Sequence, residues 1–290
     1  MAVRKRPAMI SNPTSFCPGC GHGVVIRLLA EIIEDKKLNS REIQAVGCAC
    51  NLGGFWKAPY LQCPHGRPAA VAQGVKCGAP DDFVFTYQGE GDAYTIGLSE
   101  TLNAGYRGSC ITSVVINNNI FGMTGGQMSW ATLPGQKTTT SIHGRDAART
   151  GEPFQGPEML AMFKNVVYAA RGAVYSPAEV NKTKKYLLKA MEVQMSGLGY
   201  SIVEVLCGCP TNWHLTPVEA NNWIRDVVTK AYKLGVIKDA TADAAAANAA
   251  IADAAAANAA IANEATADAA TASAAIASAA ITNAAKEANK

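Results

Sequence analysis

The 290-residue sequence has no excess of charge, no long apolar run and no apolar segment behind its basic start. Formal net charge is only +3, so the electrostatic footprint of a nucleic-acid or membrane-surface binder is missing. No stretch reaches the ~20 consecutive strongly apolar residues of a membrane-crossing helix. Met1-Ala2-Val3-Arg4-Lys5-Arg6-Pro7 is basic but is not followed by the apolar core of a secretory signal, and a cytoplasmic protein is expected. Histidine is scarce, at four. Cysteine is not: nine thiols without an export signal point to a reducing compartment, where paired cysteines serve metal or redox sites before disulfides.

Composition divides the chain near Asp239. Residues 1–239 are ordinary globular sequence, long enough to bury a substantial core. Residues 240–290 are nearly all Ala, Asn, Asp, Thr, Ser or Ile, and Ala-Asp-Ala-Ala-Ala-Ala-Asn-Ala-Ala-Ile occurs at 242–251 and again at 252–261. Alanine favours helix. A ten-residue period drifts against 3.6 residues per turn, however, so Ile251, Ile261 and Ile281 form no continuous stripe. A solvated, partly helical appendage without chemistry is expected.

In the globular part, apolar runs of strand length lie at Ile43–Gly47, Phe83–Tyr87, Ile111–Ile116, Val166–Ala170 and Ser201–Leu206. They lack clean alternation, as strands covered on both faces do. Helical patterns fall between and after them, over Gly23–Asp35, Arg67–Cys77, Asp92–Ala104, Pro157–Lys164, Pro177–Ser196 and Pro217–Tyr232. The alternation predicts an α/β fold, a parallel sheet with helices on both faces, whose ligands bind at the carboxyl ends of the strands.

Two of those strand ends carry chemistry. Gly89-Glu90-Gly91-Asp92 follows one, and Asn117-Asn118-Asn119-Ile120-Phe121-Gly122-Met123-Thr124-Gly125-Gly126-Gln127 follows the next. Glycines allow close backbone approach to a diphosphate, and a helix start at Asp92 offers free N–H groups. A magnesium ion needs near-octahedral oxygen ligands, which Glu90, Asn118 and the Ile120 carbonyl can supply. Asp92 is the alternative carboxylate should Glu90 not reach. Either turn alone reads as a cap on a strand; together they read as a metal–diphosphate site. The long Gly-, Thr- and Pro-rich loop from Asn117 to about Gly156 begins inside this motif and is expected to be functional.

The cysteines add a second centre. Cys17-Pro18-Gly19-Cys20 sits before a helix, and the pairs Cys48/Cys50 and Cys207/Cys209 follow predicted strands on the same edge of the sheet. Four thiolates suit a [4Fe–4S] cluster or structural zinc, and spacing does not choose between them. Cys63, Cys77 and Cys110 read as ordinary core or near-surface residues. His65 precedes a helix and Arg67 has the planar fork that suits carboxylate or diphosphate, which makes them the candidate catalytic residues.

Residues 15 to 239 resemble the β subunit of 2-oxoacid:ferredoxin oxidoreductases. The resemblance rests on Tyr87-Gln88-Gly89-Glu90-Gly91-Asp92, Met123-Thr124-Gly125-Gly126-Gln127, Gly135-Gln136-Lys137-Thr138-Thr139-Thr140, His65-Gly66-Arg67 and Cys209-Pro210-Thr211-Asn212-Trp213. It implies the thiamine diphosphate-binding fold, with cofactor contacts from Gly89, Glu90, Gly91, Asp92, Asn118, Ile120, Gly122, Met123 and Thr124. It implies Mg2+ on Glu90, Asn118 and Ile120, and a [4Fe–4S] cluster on Cys17, Cys20, Cys48 and Cys209. Cys50 and Cys207 remain alternatives by a two-residue slip, and His22 is placed near the cluster.

The activity implied is oxidative decarboxylation of a 2-oxoacid, with 2-oxoglutarate ranked before branched-chain oxoacids. Coenzyme A takes the acyl group and ferredoxin the electrons. About 240 globular residues leave no room for a second, pyrimidine-binding domain, so an α subunit is expected to complete the site, and γ and δ subunits are compatible with it. Three positions depart from the family pattern: Glu90 replaces the usual Asp, Asn51 a lysine thought to meet the substrate carboxylate, and Trp130 a small residue or proline. Two other classes share the motifs. One is a cluster-free thiamine diphosphate-dependent decarboxylase or carboligase subunit, the other a non-catalytic iron–sulfur subunit.

Overall fold

The computed structural model describes residues 5–11, 14–256 and 258–259. Seven strands form one sheet: β1 Ser40–Gln44, β2 Tyr60–Gln62, β3 Phe83–Gly89, β4 Thr112–Asn117, β7 Val166–Ala173, β8 Tyr200–Leu206 and β9 Gly235–Asp239. Their order is β2-β1-β3-β4-β8-β7-β9. Every pairing is parallel except that of β9 with β7. A separate two-stranded pair joins β5 (Ile120–Phe121) to β6 (Gln127–Met128). The predicted strands are all present, with ends moved by up to three residues. β2 and β9 were not predicted, because they are edge strands: β2 is exposed along its whole length and β9 is half covered.

The helices are α1 His22–Lys36, α2 Pro68–Gly78, α3 Leu98–Arg107, α4 Ala147–Thr150, α5 Gly156–Ala161, α6 Pro177–Met195, α7 Pro210–Trp213, α8 Pro217–Trp223 and α9 Thr229–Ala231. Ile43, Val84, Val115, Ala169 and Ile202 of the sheet pack in one cluster with Ala69 and Ala72 of α2, Ala104 of α3 and Leu160 of α5. Neighbouring strand residues point to the opposite face. There Thr112 and Ser201 hydrogen-bond to the Ala190 carbonyl of α6, which packs against α1. Helices therefore cover both faces, as the uninterrupted burial of β3, β4, β7 and β8 requires.

Two predicted helices are interrupted. The Asp92–Ala104 pattern begins as a π-turn over Gly91–Ile96, and α3 restarts after Gly97. A Cβ on Gly97 would lie 2.7 Å from the Gly66 Cα and 2.8 Å from the Asp92 carbonyl, so close backbone contact fixes the break. The Pro217–Tyr232 pattern holds a second π-turn at Ile224–Val228. Pro157–Lys164 shrinks to α5, which starts one residue earlier and ends at Ala161.

The long loop after β4 is held by several side chains, among them Asn119, Thr132 and Arg145. Arg145 is 4% exposed and donates to the carbonyls of Trp130 (2.9 Å), Thr132 and Gly151 (2.8 Å). The chain divides into two units, Met1–Thr241 and Ala242–Lys290. Residues 241–256 are helical, and the tail expectation for residues 260–290 lies outside the described residues. Among the described residues no helix is long and apolar enough to cross a membrane.

Candidate cofactor and cluster site

Because β1, β3, β4 and β8 are adjacent and parallel, their carboxyl ends bring Cys48, Glu90, Asn118 and Cys209 side by side at one edge. A cleft opens there. Its wall includes Gly89, Glu90, Gly91, Asp92, Asn118, Ile120, Gly122, Met123 and Thr124, all nine predicted cofactor contacts, together with His65 and Cys48. Arg67 is not on that wall; it pairs with Glu100 of α3 and its side chain is 55% exposed.

Glu90 opens the π-turn and is 1% exposed. Burial pushes its carboxyl up to about 7, against the pull of hydrogen bonds from Ser129 and from the backbone N–H groups of Glu90 and Asn118. Ser129 Oγ donates to it at 2.8 Å. Among the described residues no lysine or arginine neutralises it. A buried carboxylate without a cation, beside the Asn118 amide and the Ile120 carbonyl, is a donor set that fits a hard divalent ion. Gly91 lies under the Phe121 ring, where a Cβ would collide.

Asp92 is engaged otherwise. Its Oδ1 accepts from the Gly66 N–H at 2.7 Å and contacts His65 Nδ1, and its Oδ2 accepts from Gln88 Nε2 at 2.7 Å. Three contacts thus hold the Asp92 carboxylate between His65, Gly66 and Gln88, on the wall of the cleft. His65 is instead held with Nδ1 on the carboxylate and its ring edge-on to Phe121, centroids 6.2 Å apart.

The thiols gather behind the cofactor loop. A turn with the Cys20 N–H donating to the Cys17 carbonyl at 3.0 Å shapes the first pair. Gly19 has φ +76°, a conformation that favours glycine. Burial chiefly raises Cys20 to about 11, and neighbouring Cys209 and Cys17 add to it. Burial raises Cys48 to about 12, with Cys20, Cys209 and Cys17 adding. Cys209 is raised by burial and by Cys17. The four sequence-predicted thiols thus lie within each other's electrostatic reach. Cys207 is fully buried and faces Gly21, where a Cβ would sit 2.7 Å from its sulfur. Cys50 lies half-buried in the 3-10 turn Cys48–Gly54, two residues beyond Cys48. Among the described residues no three His, Cys, Asp or Glu side chains are already drawn to metal-binding distance. Four neighbouring thiols, three of them raised chiefly by burial, nevertheless fit a cation-bearing centre, which would hold them as thiolates.

Other contributors had a position in the sequence reading but no partner, or no signal at all. His22 Nδ1 meets the Tyr87 hydroxyl at 2.8 Å, and burial lowers the ring to about 4, keeping it neutral. Ser129 lies 39 residues from the Glu90 it supports, a contact no periodicity reports. Asn212 and Trp213 stood in a noted block without an assigned role. Asn212 Nδ2 donates to the Gly122 carbonyl at 2.7 Å, and Trp213 Nε1 to the Asn118 carbonyl at 3.2 Å. Beneath the cleft, Asn117 donates to Glu204 at 3.2 Å, and Glu204 pairs with the fully buried Arg171. His143 and His214 are exposed loop residues.

Comparison with known proteins bears on the same residues. Residues 45–205 match the family described as thiamine pyrophosphate enzyme, C-terminal TPP binding domain. The chain is 34% identical over 232 residues to ketoisovalerate oxidoreductase subunit VorA of Methanothermobacter thermautotrophicus, covering 79% of this chain and 49% of that one. It is 32% identical over 209 residues to 2-oxoglutarate synthase subunit KorB of Archaeoglobus fulgidus, covering 71% of this chain and 74% of the relative. It thus spans about half the length of the VorA relatives it matches. The fold superposes with TM-score 0.69 on 2-oxoglutarate:ferredoxin oxidoreductase from Magnetococcus marinus, solved with 2-oxoglutarate, coenzyme A and succinyl-CoA bound. That match has 20% identity and covers 87% of this chain and 92% of that one.

Proposed function

The chain belongs to the β-subunit family of the 2-oxoacid:ferredoxin oxidoreductases, and we propose that it supplies the cofactor and cluster half of such an enzyme. The reaction is the CoA-dependent oxidative decarboxylation of a 2-oxoacid to acyl-CoA and CO2, with electrons leaving to ferredoxin. One observation carries the reading. A Cβ on Gly122 of the cofactor loop would lie 3.4 Å from Cys48 Sγ, 3.5 Å from Asn118 Nδ2 and 3.7 Å from Cys209 Sγ. The metal-binding amide and two cluster thiols therefore meet at a single glycine.

Thiamine diphosphate, when bound, supplies the electron sink for loss of CO2. Glu90, Asn118 and the Ile120 carbonyl hold its Mg2+. Gly89, with open space beside its Cα, lets the diphosphate approach the backbone, Gly91 makes room for the Phe121 ring, and the N–H groups at the start of the π-turn receive the diphosphate. Glu90 is the carboxylate assigned to the metal because it is buried with no cation beside it, whereas Asp92 is tied to His65, Gly66 and Gln88. Asp92 orients His65, which presents its other nitrogen to the cleft as a proton donor or acceptor for substrate. Arg67, tied to Glu100 outside the cleft, acts on entering anions or a partner surface rather than on reacting atoms. Cys17, Cys20, Cys48 and Cys209 hold the [4Fe–4S] cluster. An α subunit completes the site with the pyrimidine-binding domain, and 2-oxoglutarate and branched-chain oxoacids are the substrates to test first.

The test is reduction of ferredoxin or viologen by the co-expressed complex, purified anaerobically, against a panel of 2-oxoacids with coenzyme A. Oxoacid- and CoA-dependent reduction is expected. A loaded complex without reduction on any oxoacid would sink the activity. Calorimetry on the same complex with thiamine diphosphate and Mg2+ separates failure to bind from failure to react.

A further inference from the structure

We propose that Asn212 tunes the reduction potential of the cluster and ties its Cys209 ligand to the cofactor loop. The inference rests on the iron–sulfur reading above. A carboxamide nitrogen carries two hydrogens, and both are placed here. One goes to the Gly122 carbonyl at 2.7 Å, the other to Cys209 Sγ at 3.6 Å. Asn212 is seated by the loop itself: Gly126 has φ +83°, and a Cβ there would stand 3.1 Å from Asn212 Cβ. Short helix α7 starts at Pro210, directly after Cys209, so the amide is fixed relative to the sulfur.

The consequence is electrostatic. Reduction adds one negative charge to a cluster whose thiolate ligands share it. An N–H pointing at a ligand sulfur stabilises the more negative state further, which raises the potential. The same amide grips the carbonyl of Gly122, the glycine lying against Cys48, Cys209 and Asn118. It is a positioning residue, with no contact to substrate.

Two variants and one isotope measurement test this in the complex loaded with cofactor. Asn212→Ala removes the side-chain donor. Asn212→Asp keeps the volume, removes the donor and adds a like charge. In an EPR-monitored redox titration, Asn212→Ala is expected to shift the one-electron equilibrium about threefold to tenfold toward the oxidised cluster. At 59 mV per decade that is roughly 30 to 60 mV lower, with iron and sulfide content unchanged. Asn212→Asp is expected to lie lower still. In the wild-type complex, Fe–S(Cys) stretching bands should move on exchange into deuterium oxide, and part of that shift should vanish in Asn212→Ala. An unchanged potential at full cluster content overturns the proposal. Should neither variant hold a cluster, wild-type bands insensitive to deuterium would overturn it. A wild-type complex with no iron or labile sulfide would refute the underlying cluster reading instead.

Discussion

Glu90 shows how much one carboxylate depends on what surrounds it. It is longer by a methylene than the aspartate expected at this position, and it is fully buried. Ser129 and two backbone N–H groups keep it ionisable at a raised pKa of about 7. If it holds Mg2+, Ser129 is the partner that aims it. Ser129→Ala should weaken Mg2+-dependent thiamine diphosphate binding roughly tenfold, the usual cost of losing an outer hydrogen-bond partner. Calorimetry would show this with melting little changed. Asp92 acts through His65. Asp92→Asn would turn an amide donor toward groups that also donate, leaving the His65 ring unheld. Turnover is expected to fall about 10- to 100-fold with a smaller change in KM. Steady-state kinetics decide it, and a pure KM effect would remove Asp92 from the orienting role.

At the scale of the element, the π-turn and the loop after β4 do the positioning. The π-turn sets Glu90 at its start and Asp92 one residue inside it, with Gly97 closing it against Gly66. Gly97→Ala would force two backbone segments apart. A loss of about 1 to 3 kcal/mol is expected, from overpacking, in chemical denaturation. The loop from Asn117 to Gly156 is ordered in part by Arg145, whose guanidinium replaces the sheet bonds that its carbonyls lack. Arg145→Met keeps the apolar stem and removes every donor. Several buried carbonyls would then be unsatisfied, at a cost of roughly 1 to 3 kcal/mol each before relaxation. Amide exchange over residues 129–151 should rise sharply while β3, β4 and β8 stay protected; uniform protection would contradict the clamp.

Across the whole molecule the parallel order β1-β3-β4-β8 creates the site, because it alone brings four sequence-distant strand ends to one edge. The interior of that sheet also carries Glu42 on β1, unexposed, hydrogen-bonded among the described residues only by Gln44 at 3.5 Å, and pushed by burial up to about 8. Its folded pKa lies above the ordinary 4.5, so its contribution to stability is complete below about 4.5 and is lost as pH rises through about 8. Denaturation midpoints should fall over that window, as the unfolding free energy drops by up to about 4 to 5 kcal/mol. Glu42→Gln should flatten the fall, and a slope unchanged in the variant would dismiss Glu42 as its source. Much of this was legible beforehand. Short apolar runs buried on both faces marked the inner strands, and Gly-Glu-Gly-Asp, Asn-Asn and the paired cysteines marked their ends, since each is a local pattern. The edge strands β2 and β9 escaped because exposed or half-covered strands bury too little to leave an apolar signature. The sequence by itself determined which residue types lie at the strand ends. Only the tertiary structure decided their partners: Asp92 to His65, Ser129 to Glu90, Asn212 to Gly122, Arg67 away from the cleft. Those pairings span chain separations that no local pattern encodes, and packing alone brings them within hydrogen-bond reach.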